Sequence, residues 1–286
     1  MPHPLLGYTE IIESPCEYLR SVGVVFAEYG TQTQGSGNVS YGVQVGEEHY
    51  FVKTAGLMGD TRPSIDHTGR VELLRNAARL NASVSHPLLP RLLGVIESPD
   101  GPMLVYPWLQ GELLGVPRER RDDPQSSFQR FRGLPPITIQ TCLDDVFSLH
   151  TLLSEAGWVA GDFYDGSLLY NFVTGQLWTV DLDMYRDGPF RNERGKMFGS
   201  TRFMAPEEFE RGARIDDQTT VFVMSRTALV LLSDGTLSVH AFRGPRALFD
   251  VVAQACRTDR ADRFVSMAAF YHAWRAAFDF PHSPPV

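Results

Sequence analysis

GSTRFMAPEEFERGA, residues 199–213, is the most specific string in the chain. From about residue 205 onward the sequence reads as mostly helical. On the N-terminal side, WVAGDFYDGSLLYNFVTGQLWTVDLD (158–183) reads as a loop followed by two short strands around Thr174-Gly175. Before that, ITIQTCLDDVFSLHTLLSEAG (137–157) reads as a helix stopped at Gly157. Residues 115–136 are charged and Pro-rich and read as a loop or short helix.

The first hundred residues read differently, as strands with one helix. SYGVQV (40–45) and HYFVKTA (49–55) fit two strands joined by a turn at GEE. RVELLRNAARLNASV (70–84) has apolar residues at 71, 73, 74, 77, 78 and 80, the spacing of a helix, and Pro87 and Pro90 punctuate it. RLLGVIES (91–98) and PMLVYPWL (102–109) fit two more strands with a Pro-Asp-Gly turn between them. Strands first and helices after predict an α+β fold in two lobes.

Composition narrows the class. The 286 residues carry a net charge of −8, which argues against a generic basic nucleic-acid footprint. A hydrophobic content of 43% excludes a wholly disordered chain. Cys16, Cys142 and Cys256 are too scattered for a disulfide framework or a zinc ribbon and read as small buried thiols. MPHPLLGYTEIIESP at the N-terminus lacks a basic start followed by an apolar run, and the longest apolar stretch, VFVMSRTALVLL (221–232), contains Arg226 and is too short to span a bilayer. The expectation is a soluble cytoplasmic protein with no membrane or nucleic-acid partner.

Several residues are candidates for chemistry. Gly35-Ser36-Gly37 lies between strand-like segments, where glycine lets backbone N–H groups approach a phosphate; a plain hairpin turn is the other reading. Lys53 ends a strand soon after and reads either as a phosphate partner or as a solvent-facing lysine. Glu72, on the next helix, is placed to hold Lys53 by an ion pair or else is an exposed helix carboxylate. Asp162 follows the small pair Ala160-Gly161, and Asp181 ends the apolar strand Leu177-Trp178-Thr179-Val180. An acid at such a strand end is costly to bury unless it finds donors or a cation, and two loop carboxylates separated by a hairpin suit a base and a magnesium ligand.

With GSTRFMAPEE as the anchor, these segments in this order resemble the eukaryotic-like Ser/Thr protein kinase family, as a divergent bacterial-type member, over almost the whole chain. The resemblance implies a bilobal protein kinase-like fold with a strand-rich lobe over residues 1–107 and a helical lobe over 108–286. It implies ATP in the cleft between the lobes, Mg²⁺ or Mn²⁺, and transfer of the γ-phosphoryl group to a hydroxyl of a protein or small molecule. Gly35 and Gly37 take the place of the glycine-rich loop, Lys53 of the strand lysine and Glu72 of its helix partner. LVYPWLQGELL (104–114) takes the place of the hinge. There the Pro107 carbonyl would accept from the adenine amine and the Leu109 N–H would donate to the ring. Asp162 stands on the catalytic aspartate and Asp181 on the metal-binding aspartate. Ala205-Pro206-Glu207 closes the activation segment, Arg263 pairs with Glu207, and a hydroxyl of Ser200 or Thr201 contacts Asp162.

The departures from that pattern fall at the catalytic loop. Ala160-Gly161 replaces His-Arg, Tyr164 replaces a lysine, and Ser167 replaces the metal-binding asparagine. Asp165 or Asp183 then becomes a further ligand candidate, with Asn171 a poorer one, and Asp183 reads equally as a turn acid. Thr220 stands where an aspartate is expected. Three activities follow: an active protein kinase, a pseudokinase that binds nucleotide or a partner without transfer, and a small-molecule phosphotransferase like those acting on antibiotics or choline. The last group lacks the Ala-Pro-Glu segment.

Overall fold

A computed structural model describes residues 3–30, 37–60 and 63–278. The protein is mixed α+β and divides into two compact units, Met1–Gln110 and Gly111–Val286.

The first unit is a five-stranded antiparallel sheet with two helices. The strands are β1 (Val24–Tyr29), β2 (Val39–Val45), β3 (Glu48–Thr54), β4 (Gly94–Ser98) and β5 (Gly101–Pro107), in the order β1-β2-β3-β5-β4. Period-two alternation assigns each strand's side chains to opposite faces. Tyr50 and Val52 of β3 join Val43, Ile96, Met103 and Val105 in one core with Tyr18 and Leu19 of helix α1 (Pro15–Val22). Leu104 packs on the other face with Leu74 and Ala77 of helix α2 (His67–Ser83). Lys53 pairs in register with Ser40 and Leu104, so it stands on the α2 side.

Helix α1 corrects the expectation of a single helix in this region. Its two turns are too short to show a helical period. What marks it is the cap: Ser14 donates to Glu17 through both its N–H and its hydroxyl, ahead of Pro15. Helix α2 starts three residues earlier than its apolar spacing predicts, because the Asp66 carboxylate accepts the Gly69 N–H at 2.8 Å and caps it.

The second unit is built on helices α3 (Ser127–Arg132), α4 (Pro136–Glu155), α5 (Asp217–Leu232), α6 (Arg246–Ala255) and α7 (Met267–Phe278). Helix α5 is buried almost all round and forms the centre of the unit, with α4, α6 and α7 packed on it. Phe147 of α4 meets Phe270 and Trp274 of α7 edge-on at 5.0 and 4.9 Å. Short ladders carry the loops. β6 (Glu112–Leu113), β8 (Leu168–Tyr170) and β9 (Leu177–Thr179) form one sheet. β7 (Trp158–Val159) pairs with β10 (Arg186–Asp187), and β11 (Phe190–Arg191) with β12 (Arg214–Ile215). The expected hairpin around Thr174-Gly175 is β8–β9. Among the described residues no helix is long and apolar enough to cross a membrane.

Candidate functional site

In the first unit, Lys53 is buried, 8% exposed, which removes the reading of a solvent-facing strand lysine. An ammonium in such a place is tolerated only with partners for its charge. Phe51 stands on the same face two residues earlier, opposite Tyr106, and Trp108 packs on Phe51 and Phe26. The half-buried Pro107 ends β5, and Leu109, also half-buried, follows Trp108, whose N–H donates to the His49 carbonyl at 3.0 Å. Gly37 has φ +89° and lies against Pro63, where a Cβ would come within 2.2 Å. Packing thus accounts for this glycine. Gly35 and Ser36 lie outside the described residues.

Glu72 requires a correction. It is exposed and forms no ion pair with Lys53 among the described residues. Helix phase explains this. The residues of α2 buried toward the sheet are Arg70, Leu74, Ala77 and Leu80, while Glu72 shares the exposed stripe with Arg75 and Arg79. Two residues from Arg70 is a rotation of roughly 200°. The buried charge of α2 is Arg70, whose Nε, Nη1 and Nη2 donate to the carbonyls of Ala55, Ile65 and Leu57 at 2.6, 2.8 and 3.0 Å. It ties down the loop between β3 and α2.

In the second unit, Asp162 and Asp181 share a rare feature. They are the only non-glycine residues with positive φ among the described residues, at 54° and 61°. A side chain in the left-handed region costs of order 1–3 kcal/mol and persists only where its surroundings impose it, most often at functional sites. The surroundings of Asp162 are visible. The Ala160 N–H donates to Thr220 Oγ1 of α5 at 3.1 Å. Gly161 leaves no space for a side chain, because a Cβ there would lie 2.3 Å from the Met184 carbonyl. Gly161 is therefore what lets residue 184 pass against the loop. Phe163 meets His150 edge-on at 4.7 Å. Burial, and then the charge of Asp181, push the Asp162 carboxyl up to about 7.

Asp181 is exposed, and Asp183 is buried. The Ser167 carbonyl accepts the Val180 N–H at 2.9 Å, which brings the serine beside the strand end bearing Asp181. Ser167 Oγ and Thr179 Oγ1 are buried without a hydrogen-bond partner among the described residues. Hydroxyls and carboxylates are hard oxygen donors, the kind that Mg²⁺ or Mn²⁺ takes. No group of three His, Cys, Asp or Glu side chains among the described residues makes a metal cage by itself. A site here would draw further ligands from waters or phosphates.

Two ligand candidates are otherwise engaged. Asp165 is ion-paired with Arg202, Oδ2 to Nη1 at 2.7 Å. Asn171 Oδ1 accepts the N–H groups of Val173 and Thr174 at 2.9 and 3.1 Å and shapes the β8–β9 turn.

The segment 199–213 closes around Asp162. Neither Ser200 nor Thr201 donates its hydroxyl to Asp162 among the described residues, contrary to expectation. Gly199 takes that place: at φ +135° it approaches so closely that a Cβ would sit 3.4 Å from Asp162 Oδ1. Asp162, Gly199, Met204 and Glu208 line a cavity of about 10 Å³. Glu208 caps its own turn by accepting the Ala205 N–H at 2.6 Å. Burial, reinforced by the charges of Glu207 and Asp162, pushes its carboxyl up to about 7. Glu207 and Arg263 form the expected buried ion pair, bidentate at 2.7 and 3.0 Å. Arg260 and the Thr219 hydroxyl also bond to Glu207 Oε1, at 2.7 and 2.9 Å. Burial favours the neutral acid, but the Arg263 contacts and the other donors outweigh it and hold Glu207 below its usual range.

Other braces have no local sequence signal. His150 Nδ1 donates to the Val146 carbonyl at 2.7 Å, so in the neutral ring Nε2 accepts the Tyr185 hydroxyl, also at 2.7 Å. Tyr185 is fully buried, and burial followed by the Asp162 charge keeps its hydroxyl protonated. Asn192 joins the start of the segment to its end: Oδ1 accepts from the N–H groups of Arg194 and Gly195, and Nδ2 donates to the Glu208 carbonyl at 3.1 Å. His150 and Tyr185 lie 35 positions apart and Asn192 and Glu208 lie 16 apart, and both pairs meet only in three dimensions. Comparison with protein-family models and with curated proteins finds no match to this chain.

Proposed function

We propose that the chain is an ATP-dependent phosphotransferase of the protein-kinase type, with a bilobal kinase-like fold and a Ser or Thr hydroxyl as acceptor. The observation that carries this is the pair Asp162 and Asp181. Both are held in left-handed backbone, and they stand close enough for the charge of one to raise the other. A fold maintains that strain and repulsion where the two carboxylates have a task.

Asp162 orients the acceptor hydroxyl and takes its proton. The hydroxyl oxygen bonds to the γ-phosphorus as the bond to the β–γ bridging oxygen breaks, and ADP leaves with that electron pair. Such transfer relies on positioning and charge stabilisation. Asp181, with Ser167 and Asp183, would hold Mg²⁺ or Mn²⁺, which when bound supplies positive charge to the phosphate oxygens. Lys53 is the candidate contact to the nucleotide phosphates, and Pro107 and Leu109 supply the backbone groups for the base.

A second reading, a module that binds nucleotide or a partner without transfer, is favoured by one observation: Glu72 faces outward and does not hold Lys53. Incubation with γ-labelled ATP and a generic protein acceptor, in Mg²⁺ and then Mn²⁺, separates the two. Label on protein supports the first reading. ATP binding without transfer to protein or to a panel of hydroxylated metabolites supports the second. Transfer to a metabolite alone assigns a small-molecule phosphotransferase.

A further inference from the structure

A chain of contacts that starts at Asp165 links five arginines of the second unit, Arg121, Arg132, Arg202, Arg226 and Arg243. Arg132 and Arg202 both lie over the Phe128 ring, at 5.4 and 5.0 Å. Gln129 ties the next member in: its Nε2 donates to the Arg121 carbonyl at 2.8 Å, and its Oε1 accepts from Arg132 Nη1 at 3.4 Å. Arg226 Nε donates to the Arg202 carbonyl at 2.9 Å, and Arg243 Nη1 donates to the Arg132 carbonyl.

Five cations here face three carboxylates: Asp165 acts on Arg202 and Arg121, and Asp122 and Asp234 act on Arg132, which leaves an excess of positive charge. Arg132, Arg226 and Arg243 spend their donors on the carbonyls of Ser233, Gly235 and Leu134. A carbonyl satisfies an N–H but carries no full charge to neutralise the cation. Of the five, only Arg202 is ion-paired among the described residues, to Asp165. The Nε atoms of Arg121 and Arg132 are buried without a hydrogen-bond partner among the described residues. Burial, and then the charges of Arg243 and Arg202, lower the affinity of Arg132 for its own proton. In a chain of net charge −8, this is a local concentration of positive charge and forked donors.

From Arg121, Arg132 and Arg202 around Phe128 we infer an anion-binding subsite that takes an acidic side chain of the acceptor peptide, carboxylate or phosphate. It lies three residues along the chain from Asp162 on one side, at Asp165, and three from Gly199 on the other, at Arg202. Calling the ligand an acceptor rests on the phosphotransferase reading; the anion preference does not. The protein therefore selects acidic rather than basic sequences around the accepting hydroxyl.

The test is fluorescence anisotropy on the full chain without nucleotide, with three labelled peptides that share one Ser. One is flanked by Glu, one by phosphoserine and one by Lys. The Glu and phosphoserine peptides bind and the Lys peptide does not, and binding weakens as salt rises. Arg121→Gln weakens the acidic peptides about tenfold, the usual scale for one charge-assisted contact. The Arg121 guanidinium donates no hydrogen bond to any described residue, so this variant keeps the parent's melting temperature. A Lys peptide that binds as well as the Glu peptide overturns the subsite, as does an R121Q protein with unchanged affinity for both acidic peptides. Should R121Q melt early, the parent's preference between Glu and Lys peptides decides alone. Binding needs no turnover, so this failure is separate from failure of phosphotransfer.

Discussion

Thr220 Oγ1 accepts the backbone N–H of Ala160 at 3.1 Å, which fastens the Asp162 loop directly to the central helix α5. The resemblance leads one to expect an aspartate at residue 220. A threonine hydroxyl still supplies an acceptor there, without burying a charge. Thr220→Val keeps the shape but strands a buried N–H, at about 1–3 kcal/mol. Thr220→Ser restores the bond and recovers most of that loss. Urea denaturation of the two variants against the parent measures the difference.

Glu207 holds Arg263 and Arg260 together with the Thr219 hydroxyl. Glu207→Ala leaves a fully buried guanidinium unpaired and should cost about 3–5 kcal/mol. The carboxyl lies below its ordinary value of 4.5 in the folded protein. A depressed folded value means stability that is present above the unfolded value and lost as pH falls below it. Acid titration of the melting temperature should therefore show a smaller drop below pH 4.5 in Glu207→Gln than in the parent.

Asp162 and Glu208 act in the opposite sense. Both carboxyls are pushed up to about 7, above ordinary values of 3.8 and 4.5. The folded state then binds more protons than the unfolded one across that window, so their contribution to stability falls as pH rises from about 4 through about 7. Glu208→Gln keeps an acceptor for Ala205 and removes one titrating group. Its melting temperature should decline less than the parent's over that range. If Asp162 is the base as proposed, transfer should rise with pH through about 7.

Arg70 is the tether of the loop between β3 and α2. Arg70→Ala removes three hydrogen bonds from a buried cation and should destabilise the first unit by at least about 3 kcal/mol. Lysine cannot reproduce the fork and should rescue little. Hydrogen exchange at residues 55–60 reads the effect directly, with faster exchange in both variants.

Much of the fold was legible because the segments that carry it are regular. Strand-like runs bounded by turn residues mark β2, β3, β4 and β5, the apolar spacing marks α2, and α4 is marked by its stop at Gly157, each within a few residues. Helix α1 was hidden because two turns show no period, and β1 because its apolar residues are largely exposed at a sheet edge. The Glu207–Arg263 pair was legible from a specific motif. Glu72 is the sole acid of its region and so stands out in the sequence, but the phase of its helix, with 70, 74 and 77 on the buried side, turns it outward, the other of its two readings. Asp165 reads as a ligand candidate in the sequence because nothing local announces Arg202, 37 positions away. His150, Tyr185, Asn192 and Glu208 are ordinary residues in the sequence and become braces only through tertiary contacts.

The central claim is that Asp162 is the base for transfer of a phosphoryl group from ATP. Asp162→Asn keeps size and shape and removes the base, and a positioned base contributes about 10²–10⁴-fold in rate. The decisive measurement sets transfer from γ-labelled ATP beside calorimetric binding of Mg·ATP, for parent and variant in parallel. Nearly unchanged nucleotide binding and a fall in transfer of that order are the expected result. An active parent with an equally active Asp162→Asn protein would contradict it, as would a parent that transfers to no protein or metabolite with either metal.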